Sequence, residues 1–292
     1  MNRHRAAGTE GHADVRHRLL VGVPLTGQRL DVNGVDTQVL VGGRGRTLLL
    51  LHGGIECGGV YWAPVATRLA TTYRLIVPDV PGLGESAPVP RLGTETFDAW
   101  FAELVRMTCE DRPILVAHSL LGSFAARFAA VHGGLLRRLV VYSAPGIGAY
   151  RMPLGLRLVA MRFAVRPTEA NAERFERWAF VDRDRARGID PSWFDAWRGY
   201  TRERAGTPHV GRTMRQLVSL GTKNIGESVL GRIEIPTELV WGRQDRFVPL
   251  ALAERTASER GWPLHVIDEA GHVPHIERAD QFLEALARAT KD

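Results

Sequence analysis

Ile114-Leu115-Val116-Ala117-His118-Ser119-Leu120-Leu121-Gly122 is the stretch on which the fold turns. Its first four residues are apolar without alternation, as in a strand covered on both faces. From Leu120 to about His132 the spacing of apolar residues is helical, so strand and helix meet at Ser119 with no loop between them. A serine on so sharp a turn holds its hydroxyl above the sheet. The N–H of the following residue, at a helix N-terminus, points into the same space. Ser119 is therefore a candidate nucleophile and the Leu120 amide a candidate oxyanion donor. Turns of this kind carry small residues two positions either side of the nucleophile. Ala117 satisfies that and Leu121 does not, which leaves Gly122 as the residue available to relieve crowding.

Upstream, strand patterns at Gln28 to Val32 and Val35 to Val41 flank Asn33-Gly34, a strong signal for a tight antiparallel hairpin. Strand patterns at Thr47 to Leu51, Arg74 to Pro78, Pro113 to Ala117 and Leu139 to Ser143 then alternate with helical ones. That alternation predicts βαβ units, hence an α/β fold with a mostly parallel, doubly wound sheet. After the sixth strand it stops. From Ala144 to Arg232 the patterns are helical, at Leu154 to Val165, Glu169 to Phe180, Pro191 to Arg204 and Thr213 to Thr222. Strands resume at Thr237 to Trp241 and Leu264 to Ile267, with helices near Leu250 to Arg260 and Asp280 to Thr290. The expected organisation is a core of 19–143 and 233–292, an all-helical cap of 144–232, and a disordered tail of 1–18. An insertion there lies at the sheet edge where site loops emerge, the place of a lid.

A serine hydroxyl needs a base, and the base needs an orienting carboxylate. Asp245 follows one late strand in Trp241-Gly242-Arg243-Gln244-Asp245, and His272 follows the last strand in Gly271-His272. The order Ser, Asp, His is the one this architecture uses, and strand ends can unite residues 126 and 27 positions apart. His275 is the competing base, and Asp268 and Asp79 are the competing carboxylates. Asp79 sits in a turn, where a structural role is expected. His52 and His118 read as hydrogen-bonding residues beneath the loops, and Cys57 as a small buried hydrophobe.

With Leu51-His52-Gly53-Gly54, Asp79-Val80-Pro81-Gly82-Leu83-Gly84, the serine turn, Gly242-Arg243-Gln244-Asp245 and Gly271-His272-Val273-Pro274-His275 in this order, the chain resembles the α/β-hydrolase family from about Gln28 onward. The resemblance implies an α/β-hydrolase fold and a second oxyanion amide at Gly54, with Ile55 as the neighbouring possibility. It implies no metal and no organic cofactor. A serine nucleophile also disfavours the branches that use an aspartate ester intermediate.

The 292 residues carry a formal charge of +6, and the positive charge is almost wholly arginine, since Lys223 and Lys291 are the lysines. No basic run interleaves with aromatics and no zinc-finger spacing occurs, so nucleic acid is not an expected partner. The two cysteines, Cys57 and Cys109, make neither a disulfide framework nor a metal motif. The opening residues lack an apolar signal core and no segment is long enough to span a bilayer, which predicts a cytoplasmic protein without a membrane partner. The expected activity is hydrolysis of a small, partly apolar ester through an acyl-enzyme. The alternatives are carbon–carbon bond hydrolysis of β-diketone-like ring-fission products, or ligand binding without turnover. Oligomeric state is not legible.

Overall fold

The computed structural model describes residues 14–291. Its sheet has eight strands: β1 (Thr26–Val32), β2 (Val35–Gly42), β3 (Arg46–Leu51), β4 (Tyr73–Pro78), β5 (Ile114–His118), β6 (Arg138–Tyr142), β7 (Thr237–Gly242) and β8 (Leu264–Ile267). The spatial order is β1-β2-β4-β3-β5-β6-β7-β8. β1 and β2 pair antiparallel across the Asn33-Gly34 turn, where both residues have positive φ (53° and 77°), as a type I′ hairpin requires. β2 pairs antiparallel with β4, and every later pairing is parallel.

β3 shows why the central strands read as unbroken apolar runs. Leu49 and Leu51 point to one face, into a cluster with Phe97, Phe101, Phe124 and Phe128. Leu48 and Leu50 point to the other, against Trp62, Tyr142 and Phe282. A strand buried on both sides has no face left for polar residues.

From β3 the chain moves to β4 on one side and β5 on the other. The loops after β3 and β5 therefore leave from adjacent strand ends, with Leu51 paired to Ala117. A crevice at such a reversal is where open α/β sheets bind ligands. Between β6 and β7 the chain is helical, at Leu154–Val165, Glu169–Ala179, Arg183–Ile189, Pro191–Ala205, Pro208–Gly221 and Glu227–Leu230. Three of these starts were not legible, and Glu227–Leu230, at four residues, is too short to show a helical period. Arg183–Ile189 is opened by Asp182, whose side chain accepts the Arg185 N–H, and the helix expected from Thr213 begins at Pro208. An aspartate cap and a proline at the first helical position explain both.

The expected disordered tail is corrected over its described part. Residues 1–13 lie outside the described residues, whereas 14–19 are helical and Arg16 is 5% exposed. Arg16 Nη2 lies 3.0 Å from Asp79 Oδ2, a charge contact without hydrogen-bond alignment, and Nη1 donates to the Cys57 carbonyl at 3.4 Å. Asp79 also accepts the N–H groups of Gly59 (2.5 Å) and Glu85 (2.8 Å). The composition of the tail gave no hint of this anchor, because its partner lies more than sixty residues away. Removing one member of a buried pair strands the other's charge, so Arg16→Ala should lower the unfolding free energy by about 3 kcal/mol in a denaturant titration. A loss under ~1 kcal/mol, the value of an exposed pair, would contradict this anchoring.

Candidate active site

The serine turn forms as its sequence suggests. His118 ends β5 in extended conformation, Ser119 has a left-handed φ of 50°, and the helix Ser119–His132 follows at once. Left-handed backbone is costly for a residue with a Cβ, of order 1–2 kcal/mol, and such strain concentrates at functional sites. Leu121 does not disturb the turn, because its side chain is fully buried in the core below. The close approach occurs one residue later. A Cβ on Gly122 would stand 2.7 Å from the Ala144 methyl and 2.9 Å from the Ala117 carbonyl.

Ser119 Oγ lies 2.9 Å from His272 Nε2, and His272 Nδ1 lies 2.9 Å from Asp245 Oδ2. An ionised carboxylate can only accept, so Nδ1 carries the proton and the Nε2 lone pair faces the serine hydroxyl. All three residues are buried. Asp245 is fixed through Oδ1, which accepts the N–H groups of Phe247 (2.8 Å) and Val248 (2.9 Å). The loops carrying Asp245 and His272 extend the β7–β8 pairing. Arg243 and Gln244 donate N–H to the carbonyls of Ile267 and Ala270, both at 2.9 Å. A Cβ on Gly242 would stand 2.0 Å from the Gly271 carbonyl, so the two loops touch backbone to backbone.

The competing residues lie elsewhere. His275 is fully buried among Tyr61, Trp62, Tyr142 and Phe282, with Nδ1 at 3.1 Å from the Tyr142 hydroxyl. Burial pushes its pKa down to about 3. Asp268 is exposed and paired with Arg243, and Asp79 is occupied by Arg16 and two amides. His118 supports the base from below: Nε2 donates to the His272 carbonyl at 2.9 Å and Nδ1 accepts from the Tyr61 hydroxyl at 3.2 Å. Burial, reinforced by His272 and His275, holds its pKa well below the ordinary histidine range, which keeps it neutral. Burial likewise lowers His52 to about 4.

Gly54 and Leu120 come together across the serine. Gly54 has φ +70°, and a Cβ there would lie 3.2 Å from Leu120 Cβ, so the two residues sit side by side on one rim of the cavity. Ile55, the alternative donor, has its N–H directed at His52 Nδ1 at 3.4 Å. Leu120 is second in its helix, where amides have no intrahelical acceptor. Gly53 allows the loop to lie flat on His118, since a Cβ would meet its ring nitrogen at 2.3 Å.

The cavity above these groups is about 170 Å³ and chiefly apolar. Of the aromatic and methionine residues in the inserted segment, Tyr150, Met152, Phe163, Phe175, Phe180, Trp197 and Met214 line it, together with Leu156. Leu154, Leu158 and Met161 face outward. The two arginines in the wall are paired: Arg198 donates from Nε to Glu176 (2.6 Å) and its Nη1 contacts Glu169 at 2.6 Å, while Arg202 also pairs with Glu169. Cys57 is buried but outside the lining, and burial raises its thiol to about 12. No group of residues able to hold a metal ion occurs among the described residues.

Two features escape sequence analysis. Backbone segment 179–181 clamps both site loops: the Ala179 carbonyl accepts the His272 N–H (2.8 Å) and the Phe180 carbonyl accepts from Arg246 (2.7 Å). Glu277 completes the clamp, taking the Gly271 N–H (2.7 Å) and the Val181 N–H (2.8 Å) on its two oxygens. Glu277 has no role legible in the sequence, because its partners are main-chain groups.

With this geometry, the chain can be set beside known proteins. A model of the alpha/beta hydrolase family matches residues 48–285. The 2-hydroxy-6-oxo-6-phenylhexa-2,4-dienoate hydrolase of Burkholderia cepacia is 28% identical over 254 residues, spanning 82% of this chain and 86% of that protein. The pimeloyl-[acyl-carrier protein] methyl ester esterase of Aeromonas hydrophila is 27% identical over 259 residues, spanning 84% and 95%. Among solved structures, a membrane phospholipase A, described as a bacterial virulence factor, superposes with a TM-score of 0.80 at 23% identity, covering 99% of this chain and 94% of that one. That last likeness is one of fold. The family match extends over most of the chain and takes in the serine turn and both loops that meet it, and the protein therefore belongs to the alpha/beta hydrolase family.

Proposed function

We propose that the protein is a serine hydrolase that cleaves a small, partly apolar ester through an acyl-enzyme. The observation that carries this reading is the hydrogen-bonded line from Ser119 through His272 to Asp245, opening on an apolar cavity. Ser119 Oγ attacks the carbonyl carbon as its proton passes to His272 Nε2, and the carbonyl electrons move onto oxygen. The amides of Gly54 and Leu120 receive that oxyanion. One such donor is worth roughly 3–4 kcal/mol in a comparable site. Collapse breaks the bond to the leaving alkoxide, which takes the proton from His272. Water, deprotonated by the same nitrogen, then attacks the acyl-serine, and His272 returns that proton to Ser119 Oγ as the bond breaks and the acid leaves. Asp245 holds the imidazole orientation and stabilises its cation.

Carbon–carbon cleavage of a ring-fission dienoate is the second reading, and the Burkholderia relative favours it. The two separate by substrate. On the first, p-nitrophenyl acetate and butyrate should turn over, with kcat falling at least ~10⁴-fold in Ser119→Ala. Faster cleavage of 2-hydroxy-6-oxo-6-phenylhexa-2,4-dienoate than of any ester would favour the second. No turnover of either class would leave ligand binding as the activity and contradict both.

An uncharged substrate also suits the cavity's one carboxyl that has no ion partner among the described residues. Glu56 lines the cavity, and burial pushes its pKa up to about 7 from an ordinary value near 4.5. The folded chain thus holds this proton more tightly than the unfolded chain does. Its contribution to stability is full below about pH 4.5 and is lost as pH rises through 7. Glu56→Gln should match the parent's urea midpoint near pH 4.5 and exceed it at pH 8. Glu277 is raised by burial to a similar value, but it is present in both proteins and cancels from the difference. Equal midpoints at both pH values would show that the Glu56 carboxyl is solvated.

A further inference from the structure

We propose that the outer face of helix Leu154–Val165 docks the protein on an anionic lipid surface. Four large apolar side chains on this helix point into solvent: Leu154 (64% exposed), Leu158 (44%), Met161 (57%) and Val165 (73%). Their spacing of four, three and four residues places them within about 60° of one another on a helix turning roughly 100° per residue. Arg157 and Arg162, both exposed, fall about 60–80° to either side of that stripe by the same geometry. Arg151 and Arg166, also exposed, flank the helix ends. From Pro145 to Thr168 the sequence contains four arginines and no acidic residue.

Acids brought near by the fold do not offset this charge. The neighbouring helix Glu169–Ala179 carries Glu169, Glu173 and Glu176, which are engaged by Arg183, Arg198 and Arg202. The outer face alone offers what an anionic membrane interface binds, apolar side chains edged by arginines, while the inner face is taken up by the cavity. The apolar groups enter the acyl boundary while the guanidinium groups meet phosphate. A second copy of the chain is the poorer occupant, because stacking stripe on stripe would oppose Arg157 and Arg162 with their own equivalents.

The stripe is not needed to pack the cavity. Leu156, Ala160 and Phe163 line the cavity from the opposite side of the same helix. A docked surface would therefore stand about one helix diameter, roughly 10 Å, from the cavity roof. The expectation of no membrane partner rested on spanning segments. No helix among the described residues is long and apolar enough to cross a bilayer, and docking at the interface needs none.

Full-length protein should co-sediment with vesicles of phosphatidylcholine and phosphatidylglycerol (7:3) at low salt. Binding to pure phosphatidylcholine should be at least about tenfold weaker, and raised salt should weaken the anionic binding. Arg157→Gln with Arg162→Gln should lower the partition coefficient about fivefold per arginine. Leu154→Asp with Leu158→Asp should reduce it to background. Position 154 lies in the first turn, where the helix dipole favours an aspartate, position 158 is exposed, and circular dichroism checks that the fold is kept. Ser119→Ala should bind as the parent does, since docking is independent of the proposed chemistry. Equal binding to both vesicle types, no binding, or parent-like binding by the leucine variant would each overturn the proposal. So would stripe-dependent self-association in place of vesicle binding.

Discussion

The left-handed backbone at Ser119 is the constraint around which the rest of the site is arranged. Such a conformation persists in a residue with a Cβ only where neighbours leave no cheaper route. Here β5 arrives fully buried between β3 and β6, and the helix leaving Ser119 must pack back on the same sheet. The absent side chain at Gly122 allows that return within contact of Ala117 and Ala144. Leu121, at the position where a small residue is usual, contributes apolar burial beneath the turn. The strain aims one hydroxyl at His272 Nε2 and one amide at the rim shared with Gly54.

Holding His272 in place takes more of the chain than making the turn. Its side chain is oriented by Asp245, its carbonyl by His118 and its amide by Ala179. Beneath it, Tyr61, His118, His275 and Tyr142 form a buried layer whose histidines are kept neutral by desolvation. A neutral layer costs less to bury than a charged one, and it leaves Asp245 as the negative partner available to an imidazolium at position 272. The inserted helices supply both the apolar walls of the cavity and the 179–181 clamp, so their position and that of the base are mechanically linked.

How much of this could be read in advance follows the range of each interaction. The serine turn, the Asn33-Gly34 hairpin and the doubly buried strands are written in consecutive residues, and the structure agrees with them to within a residue or two. Ser119, Asp245 and His272 were legible because each follows a strand end, and the sheet order converts strand ends into neighbours. Arg16, Glu277 and the Ala179 carbonyl were not legible. Their partners are an aspartate in a distant turn and main-chain amides, and an amide has no residue type to betray it. The starts at Arg183 and Pro208 were missed for a smaller reason: a cap and a proline, rather than periodicity, mark them.

The central claim is that the Ser119 hydroxyl is an activated nucleophile, and its reaction with a fluorophosphonate tests this most directly. The intact protein should take up one phosphonyl group, located by peptide mass spectrometry on Ser119, and His272→Ala should abolish the uptake. No adduct, or an adduct on a different serine such as Ser123 or Ser143, would contradict the account.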